Sequence, residues 1–174
     1  MVDQPVFVTK VDTEKLAEAL SSNDDVGVVL RAHLQIERAM VRVLEQKFPH
    51  YAELEHQYYS QHMKSLRALG ATGPIFDLAH EINKIRNDMA HLRKRERTRI
   101  LEDDVKRLRN HSLGAFGRDV LEYTCTLNSD GPKPLREFNL RQQFLVIAIM
   151  VASAIDTIPQ RENHVVEPRP GSSA

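Results

Sequence analysis

With 174 residues, 41% of them hydrophobic, the chain can bury one core of ordinary size and leaves little room for a second domain. Lysine plus arginine equals aspartate plus glutamate at 24 each, so no global field draws the protein to nucleic acid or an anionic membrane, and polyanion binding would need a local patch. The single cysteine, Cys125, excludes an intrachain disulfide framework and a multi-cysteine metal site, and it suits a reducing compartment.

The opening Met1-Val2-Asp3-Gln4-Pro5 has neither the basic start nor the apolar run of a signal peptide. The longest apolar run, 144–152, is too short to cross a bilayer. A cytoplasmic protein without membrane contact is the expectation. Residues 1–11 show little periodicity, and 12–20 read as a short lid or edge helix capped by Asp12 or Thr13. Ser21 to Asp25 supplies a second cap before a long helix over about 26–47, which Phe48-Pro49 ends. Val26, Val29, Leu30, Ile36, Met40, Val43 and Leu44 define its buried face, yet His33 and Glu37 fall in the same sector one turn apart. A carboxylate is seldom buried unpaired. Two readings stand: a satisfied structural pair that accepts a bond from another helix, or residues that orient the neighbouring helix or meet a partner chain.

Residues 49–59 form a polar connection with some helical character; Tyr58 and Tyr59 in it could stack on bases but suit packing better. Helical spacing resumes over 60–69, where Gly70 suits the C-terminal cap and Pro74 the first turn of the next helix. That helix carries Phe76, Ala79, Ile82, Ile85, Met89 and Leu92 at three-and-four spacing along one face. On nearly the opposite side, His80, Lys84, Asn87 and His91 make a polar stripe, with Arg86 beside it on a side chain long enough to reach the His91 ring.

Beyond His91 come Arg93, Lys94, Arg95, Arg97 and Arg99, interrupted among acids by Glu96 alone. Such a run is either a solvated face or, next to the stripe, a groove for a phosphate backbone. A helix over 100–111 places Leu101, Val105 and Leu108 inward and Lys106, Arg107 and Arg109 outward, and 112–117 breaks it. A short helical piece over 119–125 and a turn-rich stretch over 128–134 follow. The last helix, about 134–158, is nearly apolar all round from 144 to 155, as a central helix or one shared with a second subunit would be. With no internal repeat and no convincing strand pair, the fold class is all-α, an up-and-down bundle of four or five main helices in one domain over 1–158, with a flexible tail over 159–174.

The segment Arg86-Asn87-Asp88-Met89-Ala90-His91 closing an amphipathic helix resembles the R-x4-6-H signature of the HEPN superfamily of all-α proteins, in which the residue after the arginine is typically polar, often asparagine. Residues 31–40 resemble that family's first long helix, and 64–70 followed by the motif helix are similar to its mannitol-operon-repressor-like branch. The likeness spans roughly 25–155, with the six-residue motif as its specific part. It implies metal-independent, cofactor-free RNA cleavage by a toxin-like or defence-related endoribonuclease, in which the ribose 2′-hydroxyl attacks the adjacent phosphate. His91 would act as acid or base, Arg86 would clamp the phosphate, and Asn87 would orient phosphate or ring. Lys84, His80, Arg93, Lys94 and Arg95 are the candidate substrate-binding residues.

The resemblance also implies a homodimer bringing two motifs into one cleft, with RNA as substrate and a cognate antitoxin or regulatory protein as a further partner. The rival implication is a non-catalytic, transcriptional-regulator-like or protein-interaction module, since relatives keep the fold in that role. No helix-turn-helix with a basic recognition helix is visible. Metal chemistry fits less well, because His80/Lys84 and Asn87/His91 lack the second histidine or carboxylate of a helical metal pair.

Overall fold

The computed structural model describes residues 24–54, 58–90, 97–127 and 131–158. Its described residues form an all-α bundle of five main helices: α1 (Asp25–Lys47), α2 (Tyr59–Ala68), α3 (Pro74–Ala90), α4 (Glu102–Phe116) and α5 (Leu140–Asp156). The helix expected over 12–20 and the tail expected over 159–174 lie outside the described residues.

Local chemistry explains most of the boundaries. Gly70 has φ +82°, and the Gly70 and Ala71 N–H groups donate to the Arg67 and Leu66 carbonyls at 2.9 and 3.0 Å, the paired closure that ends α2. Pro74 then opens α3, where its missing N–H would have no helical partner. At the head of α5 the Asn139 side chain accepts from the Gln142 N–H at 3.0 Å, while Gln142 Oε1 takes the Asn139 N–H at 3.1 Å.

The structure departs from the expected boundaries in two places. The 112–117 stretch continues α4 to Phe116: Ser112 is buried with its hydroxyl on the Arg109 carbonyl, and a Cβ on Gly114 would lie 3.4 Å from Pro74, so this turn packs against the start of α3. Gly117, at φ +72°, is where the helix stops. The last helix begins at Leu140, not near 134. A short antiparallel pair, β1 (Thr124–Cys125) with β2 (Lys133–Pro134), and a 3₁₀ turn over Leu135–Glu137 occupy the chain before it. Two-residue strands are too short to show a period of two, which is why no strand pair was expected. The piece around 119–125 is likewise one 3₁₀ turn, Val120–Glu122, capped by the Asp119 side chain.

Helix α1 is covered on several sides. Val28, Val29, Ala32, His33, Gln35, Ile36, Ala39, Met40, Val43 and Leu44 are all buried, whereas Val26 and Leu30 are half-buried. Helix α5 packs along it. Asp25 and Arg141 meet at the two N-terminal ends at 2.5 Å, and Arg42 grips Asp156 near the two C-terminal ends through two bonds of 2.8 and 2.6 Å, so the helices run the same way. Helix α4 runs against α3, because Gly114 meets Pro74 while Arg107 meets Glu81. Between them, Ile36, Leu44, Ile82, Ile85, Leu108, Phe144 and Ile147 are fully buried, each contributing about 1.5–3 kcal/mol of burial free energy.

Candidate functional site

Helix α3 turns a different chemistry to each of its neighbours. Ile82, Ile85 and Met89 are buried at its inner face. One flank meets α4. There Glu81, only 3% exposed, takes Lys84 at 3.0 Å and Arg107 at 2.9 Å, and Arg107 also reaches Asp104 at 2.7 Å. Asp104, 1% exposed, further accepts from the Leu101 N–H at 2.9 Å and from Arg97, whose other nitrogen lies 3.5 Å from Asp88. The second flank, carrying Asn83 and Arg86, faces α1. The motif arginine therefore lies apart from the charge network of α4.

Arg86 is half-buried, and its Nη1 donates to the Asn87 side-chain oxygen at 2.9 Å. Its stem runs inward, leaving Nε buried. Its charge is felt by His33 and Glu37 of α1, which are spaced one turn apart so that both project from the same side, with His33 Nδ1 3.6 Å from Glu37 Oε2. Tyr59, the first residue of α2, closes the cluster with its ring centroid 5.1 Å from that of His33.

Electrostatics in this cluster follow from burial. Loss of water around His33, and then the Arg86 charge, push its pKa down to about 4, against a hydrogen bond with Asn83, so the ring is neutral at pH 7. Burial raises the Glu37 carboxyl above its ordinary value, while Arg86 and a hydrogen bond from the Tyr59 backbone pull it back. Burial, then Glu37, raises the Tyr59 hydroxyl, which Arg67 opposes. Among the described residues, three buried polar atoms here have no protein partner: His33 Nε2, Tyr59 Oη and Arg86 Nε. Leaving such an atom unpaired costs about 1–3 kcal/mol. Packing alone does not require three of them in one place, and such clusters are candidates for function.

The expected site residues divide accordingly. Arg86 and Asn87 are brought together. His80 is exposed on the outer face of α3, and Lys84 is exposed but engaged with Glu81 on the α4 flank, so neither joins Arg86. His91, Arg93, Lys94 and Arg95 lie outside the described residues. From the same basic run, Arg97 is turned to Asp104 and Asp88, and Leu101, expected inward, is half-exposed as the residue before α4. Tyr59 and Asn83 were not singled out as site residues. Asn83 lies three residues before Arg86, the spacing of one helix face; Tyr59 reads as an aromatic suited to packing, and nothing in its own segment places it beside His33, whose helix is a different one.

Among the described residues, no group of three or more His, Cys, Asp or Glu side chains could hold a metal ion, and no helix is long and apolar enough to cross a membrane. No protein-family model, curated protein or solved structure matches the chain, so the reading of the site rests on its own chemistry.

Proposed function

We propose that the chain is a metal-independent endoribonuclease of the HEPN kind, acting as a cytoplasmic homodimer on RNA. The observation that carries the reading is the joined pair Arg86–Asn87: the two described side chains of the motif are bonded at 2.9 Å on a half-exposed rim of α3. A guanidinium held this way can give charge-assisted bonds to a phosphate without first losing the freedom of a long side chain.

In the reaction the 2′-oxygen attacks phosphorus and loses its proton to a base, the P–O5′ bond breaks, and the leaving 5′-oxygen takes up a proton. His91, four residues after Asn87 in the chain, is the acid or base, Arg86 neutralises the charge that builds on the phosphate oxygens, and Asn87 keeps Arg86 in register. His33 is buried and neutral at pH 7, and does not supply the second proton carrier. The dimer partner's copy of His91 fills that role in this scheme. Toxin-like use, with a cognate antitoxin, belongs to the same reading.

A second reading, the non-catalytic regulatory or interaction module, is favoured by one specific observation. Lys84, Arg97 and Arg107 are engaged by Glu81, Asp88 and Asp104, which leaves less free positive charge along α3 for a phosphate backbone. The deciding experiment is RNA cleavage by purified protein in EDTA, with folded His91→Ala and Arg86→Ala variants alongside. Cleavage by the parent that falls about 100-fold or more in both variants is expected. A parent with no cleavage on structured or single-stranded RNA refutes the nuclease and leaves the module.

A further inference from the structure

We propose that Arg97 is the positioning residue for the segment that carries His91: by bridging Asp88 in the last turn of α3 to the buried Asp104 of α4, it closes the span 91–96 into a loop tied at both ends. The proposal rests on the reading of His91 as the acid or base, and extends the site to the start of α4.

Printed contacts fix the far end of that span from several sides. The Arg97 side chain is only 16% exposed; one guanidinium nitrogen lies 3.5 Å from Asp88 Oδ2 and the other is bonded to Asp104. Asp104 is itself held by Arg107 at 2.7 Å and by the Leu101 N–H at 2.9 Å, so the anchor does not swing. Three residues on, the buried Ile100 gives its N–H to Asp25 Oδ2 at 3.0 Å, at the head of α1, and the other oxygen of that carboxylate takes Arg141 of α5 at 2.5 Å. The stretch 97–101 is therefore fastened to α1, α3 and α4, and through Asp25 to α5.

Ala90 is the last residue of α3, and the chain from there to Arg97 could reach roughly 25 Å if extended. The bridge instead returns Arg97 to within one side chain's length of Asp88, which directly follows Asn87. In sequence the span between these ends holds His91, Arg93, Lys94 and Arg95. A span pinned at both ends samples far fewer placements than one hanging from α3 alone. Arg97 thus limits how far these side chains travel from the Arg86–Asn87 pair without itself meeting the substrate.

The test uses the full chain. Native protein is digested briefly with trypsin, and cleavage after Arg93, Lys94 and Arg95 is timed by mass spectrometry in the parent, Asp88→Asn, Arg97→Gln and Arg97→Lys. The Asp88 side chain is 58% exposed, and a pair open to water adds little to global stability, so Asp88→Asn should keep the urea midpoint of the parent. We expect cleavage faster by about threefold in Asp88→Asn and by about tenfold in Arg97→Gln, with return toward the parent in Arg97→Lys. RNA cleavage run in parallel should lose kcat in the same order, whereas a merely structural Arg97 would move the urea midpoint and leave the kcat of the folded protein alone. Should Arg97→Gln fail to fold, Asp88→Asn and Asp88→Glu carry the comparison, the second matching the parent. Equal trypsin rates across the folded variants, or a kcat indifferent to them in an active parent, overturn the proposal. A parent that shows the trypsin order but cleaves no RNA refutes the nuclease and leaves the closed loop intact.

Discussion

His33 makes the interior of this bundle sensitive to acid, and the size of that effect can be worked from its burial. An imidazole held at a pKa of about 4 in the folded chain, against an ordinary value of 6.5 in the unfolded one, binds its proton later when folded. Between those values the unfolded state carries more protons, so stability rises with pH through the window and is lost as pH falls from 6.5 toward 4. Fully expressed, the difference is about 3 kcal/mol, and at pH 4.5 roughly 2–3 kcal/mol of it has gone. Glu37 works in the opposite sense: its raised carboxyl is protonated in the folded chain first, which adds stability as pH falls. The measurement is therefore a difference. Urea midpoints of the parent and of His33→Gln are compared at pH 7 and pH 4.5, and the parent should lose about 1–2 M more between the two pH values, taking an m-value of about 1.5 kcal/mol per molar. Parallel losses in the two proteins would show that His33 titrates normally, and would refute the claim that burial keeps it neutral.

Other perturbations separate buried charge from surface charge and backbone from side chain. Asp104→Ala removes a carboxylate 1% exposed that serves Arg97, Arg107 and the Leu101 N–H, and should cost about 3 kcal/mol in urea unfolding. Arg136→Ala, at the exposed pair with Glu122, should leave the midpoint unchanged within error. Gly70→Ala puts a Cβ into open space at φ +82°, so its cost is backbone strain alone, about 1–2 kcal/mol, and Gly70→Asn should recover part of it. Cys125 is half-buried with its thiol pushed up by burial against the pull of Lys133, so iodoacetamide should label it more slowly in native protein than in urea at pH 7.5.

How much was legible depended on where the determining neighbours sit. The start of α3 could be read because Gly70 and Pro74 act within one turn of themselves, and the buried face of α3 could be read because Ile82, Ile85 and Met89 repeat at helical spacing. The start of α5 could not: Pro134 and Leu135 continue an apolar pattern, and what removes them from the helix is the pairing of Lys133–Pro134 with Thr124–Cys125. The His33/Glu37 spacing on α1 was visible as an anomaly. That the Arg86 charge acts on it was not, since nothing in either segment specifies the rotation of one helix against the other.

From the order of its residues alone, this chain determined that it would form amphipathic helices, roughly where they begin and end, and which side of each would shun water, because all of these follow from contacts within one or two turns. Only the packed bundle decided which charges meet. Arg42 finds Asp156 across 114 positions and Arg141 finds Asp25 across 116. Glu81 takes Arg107 from α4, and the Arg86 charge acts on Glu37 and His33 of α1. The reason is that a helix may rotate about its axis and slide along its neighbour at little local cost, and the choice among those placements is made when the side chains of several helices fill one interior together.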